Sequence, residues 1–235
     1  MINITNLTFA YPKKRELFSG IDLKIPAGRI CGLLGKNGVG KTTLLRLMAG
    51  LLFPKSGHCS VENYNPEKRM PSFLQEIYFL PEEFYLPDLT IAQYLKSYAP
   101  FYPRFQYDTF LAYLKEFDLL LSEKLNELSH GQKKKALLSF ALATDCKLLL
   151  LDEPSNGLDI PSKVQFRKLL AGALTEERII ILSTHQVRDL ENLIDTVVIL
   201  DNGRIIFQKT LEDFAIDSPV DLELLFNKVL AERGK

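Results

Sequence analysis

The segment Gly35-Lys36-Asn37-Gly38-Val39-Gly40-Lys41-Thr42 has the spacing GxxxxGK[ST], which suits a phosphate group. Its glycines permit backbone torsions and close approach that side chains would obstruct, so successive amide N–H groups can point at phosphate oxygens. Lys41 can set a compact positive charge on the outer phosphates, and the helix that follows adds the positive end of its dipole. Thr42 offers a hydroxyl to a Mg²⁺ ion. A plain glycine turn between strand and helix accounts for Gly35 and Gly38, but not for the whole pattern in its context.

Two carboxylates, Asp152 and Glu153, follow the apolar run Leu148–Leu151, and open α/β sheets bind ligands at such strand ends. Asp152 can hold Mg²⁺ through hydroxyl or water contacts, while Glu153 can polarise a water that attacks a terminal phosphate. Taken alone, an acidic pair before Pro154 is an ordinary polar strand end. His185, just beyond the run Ile179–Leu182, also carries little by itself. Leu128-Ser129-His130-Gly131-Gln132 reads first as a capping box, Ser129 with Gln132, opening a helix over Lys133–Ala143, and a helix N-terminus is in addition a phosphate site. The run Lys133-Lys134-Lys135 suggests nucleic acid at first sight. Without any general basic excess it reads instead as the solvated or phosphate-facing start of that helix.

The elements that must position these residues are visible as hydrophobic periodicity. Ile2, Ile4, Leu7 and Phe9 alternate imperfectly and Ile21, Leu23 and Ile25 cleanly, so the chain starts as a half-buried antiparallel sheet. The apolar run Arg29–Leu34 then leads through the glycine loop into a helix expected over Lys41–Leu52. Gln75–Leu80 reads as a strand. Between Leu86 and Leu121 two helical stretches start near Thr90 and Asp108, separated by Pro100 and Pro103. Leu148–Leu151, Ile179–Leu182 and Val197–Leu200 are apolar runs divided by helical stretches at Pro161–Leu174 and Gln186–Leu193. That alternation predicts a mostly parallel sheet covered on both faces. Asp221–Leu230 closes the pattern as an amphipathic helix.

With these residues in place, the chain resembles the ABC ATPases over nearly its whole length. The phosphate loop, Leu128 to Gln132, Leu148 to Pro154, Ser155-Asn156-Gly157-Leu158-Asp159 and Ser183-Thr184-His185 follow that family's order and spacing. The resemblance implies one α/β domain over residues 1–235. It would have a P-loop NTPase core with a mostly parallel sheet, an N-terminal antiparallel β subdomain, and a helical insertion near residues 84–140 that includes the signature helix. It also implies ATP and Mg²⁺ as cofactors. Gly35, Asn37, Gly38, Gly40, Lys41, Thr42 and Thr43 would contact the nucleotide, Tyr11 would stack on adenine, and Thr42 and Asp152 would hold the metal. Glu153 and His185 would be catalytic. Ser129, Gly131 and Gln132 would act across a head-to-tail dimer on the partner's nucleotide, and Asp159 would belong to the loop joining the two sites.

Two positions depart from the family pattern. Glu82 stands where a glutamine usually senses the γ-phosphate and Mg²⁺; a carboxylate can still bind the metal but adds charge beside the phosphates. His130 replaces a common glycine and puts a ring beside the interface.

Composition excludes several other functions. Lys plus Arg and Asp plus Glu each total 29, so no overall field favours nucleic acid or an anionic bilayer. Three scattered cysteines, Cys31, Cys59 and Cys146, form no CxxC pair and suggest neither a disulfide framework nor a zinc site. No signal peptide and no spanning apolar run is apparent. The expected protein is therefore the ATP-binding subunit of an ABC transporter. It would be cytoplasmic, peripheral on the inner face of the membrane, paired with integral membrane subunits and a second ATPase subunit, and the resemblance of its helical insertion to single-domain exporter ATPases implies export. The alternatives are a soluble ABC ATPase acting on ribosomes or DNA, and a low-turnover assembly switch motivated by Glu82.

Overall fold

In the computed structural model, residues 1–190, 193–210 and 221–232 are described. Strand β1 (Ile2–Phe9) pairs antiparallel with β2 (Phe18–Ile25) on one side and β4 (Ser56–Val61) on the other. Its imperfect alternation has a cause in the backbone. The register shifts between Ile4 and Leu7, where Asn6 adopts a left-handed φ of 48°, so one extra residue separates two inward side chains.

The second sheet has the order β5 (Ile77–Leu80), β6 (Leu148–Asp152), β7 (Ile179–Thr184), β3 (Arg29–Leu34), β8 (Thr196–Asp201) and β9 (Arg204–Thr210). All neighbours are parallel except β8 and β9, which form a hairpin across Asn202 and Gly203, both at positive φ. Both faces are covered. Leu148 and Leu150 of β6 enter a core shared with β1, β2 and helix α1 (Lys41–Met48), while Leu149 and Leu151 enter a second core on the opposite face. A strand buried on both sides must be apolar at every position, hence the unbroken leucines.

After α2 (Pro71–Leu74) and β5, the chain forms α3 (Ile91–Tyr98), α4 (Tyr107–Glu116) and α5 (His130–Ala143) before returning as β6. Phe140 of α5 is the centre of this part, with Phe105 at 4.9 Å, Tyr94 at 5.2 Å and Tyr102 at 6.0 Å between ring centroids. The aromatic stretch 101–105 therefore divides: Tyr102 and Phe105 pack inward, and Phe101 remains 68% exposed. Helix α6 (Ile160–Ala173) precedes β7, and α7 (Leu222–Glu232) corresponds to the expected terminal helix. Among the described residues no helix is long and apolar enough to cross a membrane, and the three cysteines are free and buried.

Several boundaries differ from expectation. Helix α1 stops at Met48 instead of Leu52 because Gly50 takes a left-handed φ of 66° just beyond it. The strand expected from Gln75 starts at Ile77, since Pro71 opens a short helix immediately before it. Over Gln186–Leu193 the chain makes a 3₁₀ turn at Val187–Leu190, and residues 191–192 lie outside the described part.

Arg104, between α3 and α4, fastens the helices to the sheet by a bidentate pair with Glu76 (2.8 and 2.6 Å) and a 2.9 Å bond to the Asp145 carbonyl. The Arg104 hydrogen bond holds the Glu76 carboxyl below the ordinary glutamate value, against a smaller upward push from burial. A depressed carboxyl contributes stability above its unfolded value and loses it as pH falls through the lowered one. Arg104 is 43% exposed, so screening keeps the contribution small. Arg104→Gln should lower the melting temperature at neutral pH by about 2 to 4 °C, with the gap closing below about pH 4. A gap unchanged at acid pH would assign it to something other than the ion pair.

Candidate active site

The parallel register brings the chemistry-bearing residues to one edge. Leu34 pairs with Thr184, and Asp152 with Ser183, so the phosphate loop, the acidic pair and His185 all leave the sheet side by side. Glu82 follows β5 at the same edge, two residues beyond Leu80. The cleft at this edge holds about 440 Å³ and is lined by Tyr11, Asn37, Lys41, Thr42, Glu82 and Glu153, among others, whereas Asp152 and His185 are not among its lining residues. Gly38, Gly40 and Thr43 also line it.

Gly40 caps α1 at φ 112° and gives no side-chain cap, so the first amides of the helix keep their donors for a ligand. A Cβ at this position would lie 2.8 Å from the Phe18 ring. Lys41 is 6% exposed and donates to the carbonyls of Gly35 (2.8 Å) and Lys36 (3.3 Å), which curls the loop around its ammonium. Tyr11 donates or accepts a 2.9 Å bond with Thr43 and sets its ring edge-on to Phe9.

Thr42 donates to Asp152 Oδ2 at 2.7 Å, and Ser183 donates to Asp152 Oδ1. Ser183 also accepts from the Glu153 amide at 3.1 Å, a role that motif reading missed although the residue stands opposite Asp152 across the sheet. Among the described residues no group of three or more His, Cys, Asp or Glu could hold a metal ion. A hydroxyl beside one carboxylate fits Mg²⁺, which takes few protein oxygens and completes its shell with phosphate and water.

Glu153 is 3% exposed and sits at φ 45°, a left-handed torsion costing about 1 kcal/mol or more at a non-glycine residue. Its Oε1 lies 3.0 Å from His185 Nδ1 and 3.4 Å from Lys41 Nζ. A carboxylate only accepts, so His185 Nδ1 donates to it and Nε2 is left for another group. The other oxygen, Oε2, is buried without a hydrogen-bond partner. An orphaned buried carboxylate oxygen is costly, and a water or ligand donor would satisfy it.

The two unusual residues are tied into the same region. Glu82 Oε1 accepts from Asn156 Nδ2 at 3.0 Å, and Asn156 Oδ1 in turn accepts from Gln186 at 3.3 Å. His130 stacks on Phe84 with ring centroids 5.4 Å apart and planes 9° from parallel. The Ser129 and Gln132 capping box forms in both directions, starting α5 at His130 instead of Lys133. Ser129, Gly131 and Gln132 do not line the cleft of their own chain. Asp159 caps α6 through the Ser162 amide at 2.8 Å.

Two features were not anticipated. Lys14 and Arg15, just past Tyr11, add positive charge to the cleft. Lys134, expected with its neighbours at the solvated or phosphate-facing start of α5, is 0% exposed. Burial lowers its pKa, opposed by the charges of Glu82, Glu153 and Asp152.

The sequence profile of the family described as ABC transporter matches residues 18–156, more than half of the chain. The chain is 28% identical to the ABC transporter ATP-binding protein NatA of Bacillus subtilis, covering 96% of each. It is 33% identical to the methionine import ATP-binding protein MetN of Carboxydothermus hydrogenoformans, over 91% of this chain and 67% of that one. A solved structure titled as the ATP binding subunit of an ABC transporter superposes with a TM-score of 0.85 at 24% identity, covering all of both chains, which shows the fold.

Removing the ammonium that organises the loop should cost the phosphate its strongest contact. Lys41→Ala is expected to weaken ATP binding at least about thirtyfold, the equivalent of about 2 kcal/mol, in a fluorescent-nucleotide titration. Affinity within about threefold of the unmodified chain would remove Lys41 from the phosphate site.

Proposed function

Because this chain belongs to the ABC transporter family as an ATP-binding subunit, we propose that it hydrolyses MgATP between two head-to-tail subunits to drive transport by membrane partners. The observation that carries this reading is the Glu153 carboxylate at the mouth of the phosphate loop, with Oε1 held beside Lys41 and His185 and Oε2 left without a partner. Lys41 and the α1 amides bind the outer phosphates. Glu153 Oε2 accepts a hydrogen bond from the attacking water and draws its proton as the bond from water to the γ-phosphorus forms and the bond from that phosphorus to the bridging oxygen breaks, releasing ADP. His185 donates from Nδ1 to Glu153, which leaves Nε2 to accept a hydrogen bond from the attacking water. Thr42 and Asp152 would hold Mg²⁺, which would supply positive charge to the phosphate oxygens when bound.

The separation of Ser129, Gly131 and Gln132 from their own cleft supports a second subunit. In a two-fold pair each α5 N-terminus would cover the partner's nucleotide, giving two composite sites. Homodimer and heterodimer both satisfy this geometry. Partner membrane subunits would hold the pair at the cytoplasmic face of the membrane, docking on the α3–α5 helices, where Phe101 stands exposed. ATP binding would close the pair and loss of phosphate would open it. Export is the direction proposed, on the resemblance of the helical insertion to those of exporter ATPases.

Glu82 favours one second reading, a nucleotide-dependent switch with little turnover, since its carboxylate adds negative charge beside the phosphates. The two readings separate in Glu153→Gln. Hydrolysis should fall at least about a hundredfold while ATP stays bound, and chromatography with MgATP should show a trapped dimer. A monomeric variant would refute the head-to-tail site, and an unmodified chain with no turnover would establish the switch.

A further inference from the structure

A fully buried lysine demands explanation, because an ammonium removed from water is costly unless it is bonded and compensated. Lys134 is such a residue, in a helix whose other inward positions are apolar or small. Its Nζ donates to the carbonyl of Glu153 at 2.9 Å and to the carbonyl of Asn156 at 3.0 Å. Those carbonyls bracket a single turn, closed by the Asn156 amide on the Glu153 carbonyl at 3.2 Å. Inside it Glu153 keeps its left-handed φ of 45°, a torsion that persists only where the surroundings hold it. The torsion fixes the direction in which the Glu153 side chain leaves the backbone, and hence its approach to His185 and Lys41. The same turn presents the Asn156 side chain to Glu82.

We infer that Lys134 is a positioning residue for hydrolysis: its buried ammonium clamps the 153–156 turn, aiming the Glu153 carboxylate and orienting Asn156 toward Glu82. The inference rests on the hydrolytic role proposed for Glu153. It also gives the signature helix a function within its own subunit, since the residue that holds the base lies two positions beyond Gln132.

Lys134→Met, similar in length and without donors, and Lys134→Gln, with one amide to donate, separate aiming from folding. Lys134→Met is expected to lower kcat at least tenfold while KM and the affinity for a fluorescent ATP analogue in EDTA stay within twofold. Lys134→Gln should recover part of the rate. In a Glu153→Gln background the methionine should change the residual rate less than twofold, because Lys134 acts through that carboxylate. A folded Lys134→Met with kcat within twofold of the unmodified chain overturns the inference, as does an equal loss in both backgrounds or a parallel loss of affinity. Melting curves accompany each variant. If the methionine variant does not fold, the glutamine variant decides, and failure of both assigns Lys134 to folding alone and overturns the proposal. Failure of the underlying reading looks different: the unmodified chain shows no turnover, or Glu153→Gln retains it, and this inference falls with it.

Discussion

Everything at the cleft depends on the register of three parallel strands. Leu34 lies opposite Thr184 and Asp152 opposite Ser183, and a slip of one residue would turn each of these side chains to the other face of the sheet. The register is held from both sides by the two cores that β6 divides. Its alternate leucines are committed to different faces, so the strand cannot slide without exposing one set and crowding the other. Acidic and hydroxyl groups can then sit buried at the strand ends, because backbone pairing has already fixed where their partners stand.

Much of this was legible in the sequence because it rests on local spacing. The phosphate loop and its lysine lie within eight residues, and the capping box of α5 spans four; the loop curls around Lys41, and the box closes in both directions, though the helix starts three residues earlier than expected. The unbroken leucines of β6 indicated a strand buried on both faces. What escaped the reading was set by distant parts of the chain. Lys134 looks like one of three equivalent lysines until the 153–156 turn is packed over it. Ser183 acquires its role only by standing across the sheet from Asp152. Strand β9 is a different case, since Asn202-Gly203 is a strong local hairpin signal that was present and not used.

The two departures from the family pattern turn out to be neighbours. Glu82 bonds Asn156, two residues farther Phe84 stacks on His130, and a Cβ on Gly157 would lie 2.9 Å from that same histidine ring. A carboxylate at 82 and a ring at 130 thus belong to one contact region linking the segment after β5, the turn after β6 and the start of α5. Whatever shifts one of the three must be accommodated by the others.

The buried cysteines have a practical side. Desolvation pushes the thiols of Cys31, Cys59 and Cys146 up to about 12 in each case, leaving on the order of one in ten thousand as thiolate at pH 8. All three are also shut away from reagents in bulk solvent. A single cysteine introduced on an exposed face, such as that of Leu111 on α4, would therefore take a maleimide dye or spin label against a nearly silent background. The native chain is already suited to distance measurements between two copies, with no need to strip thiols from its cores.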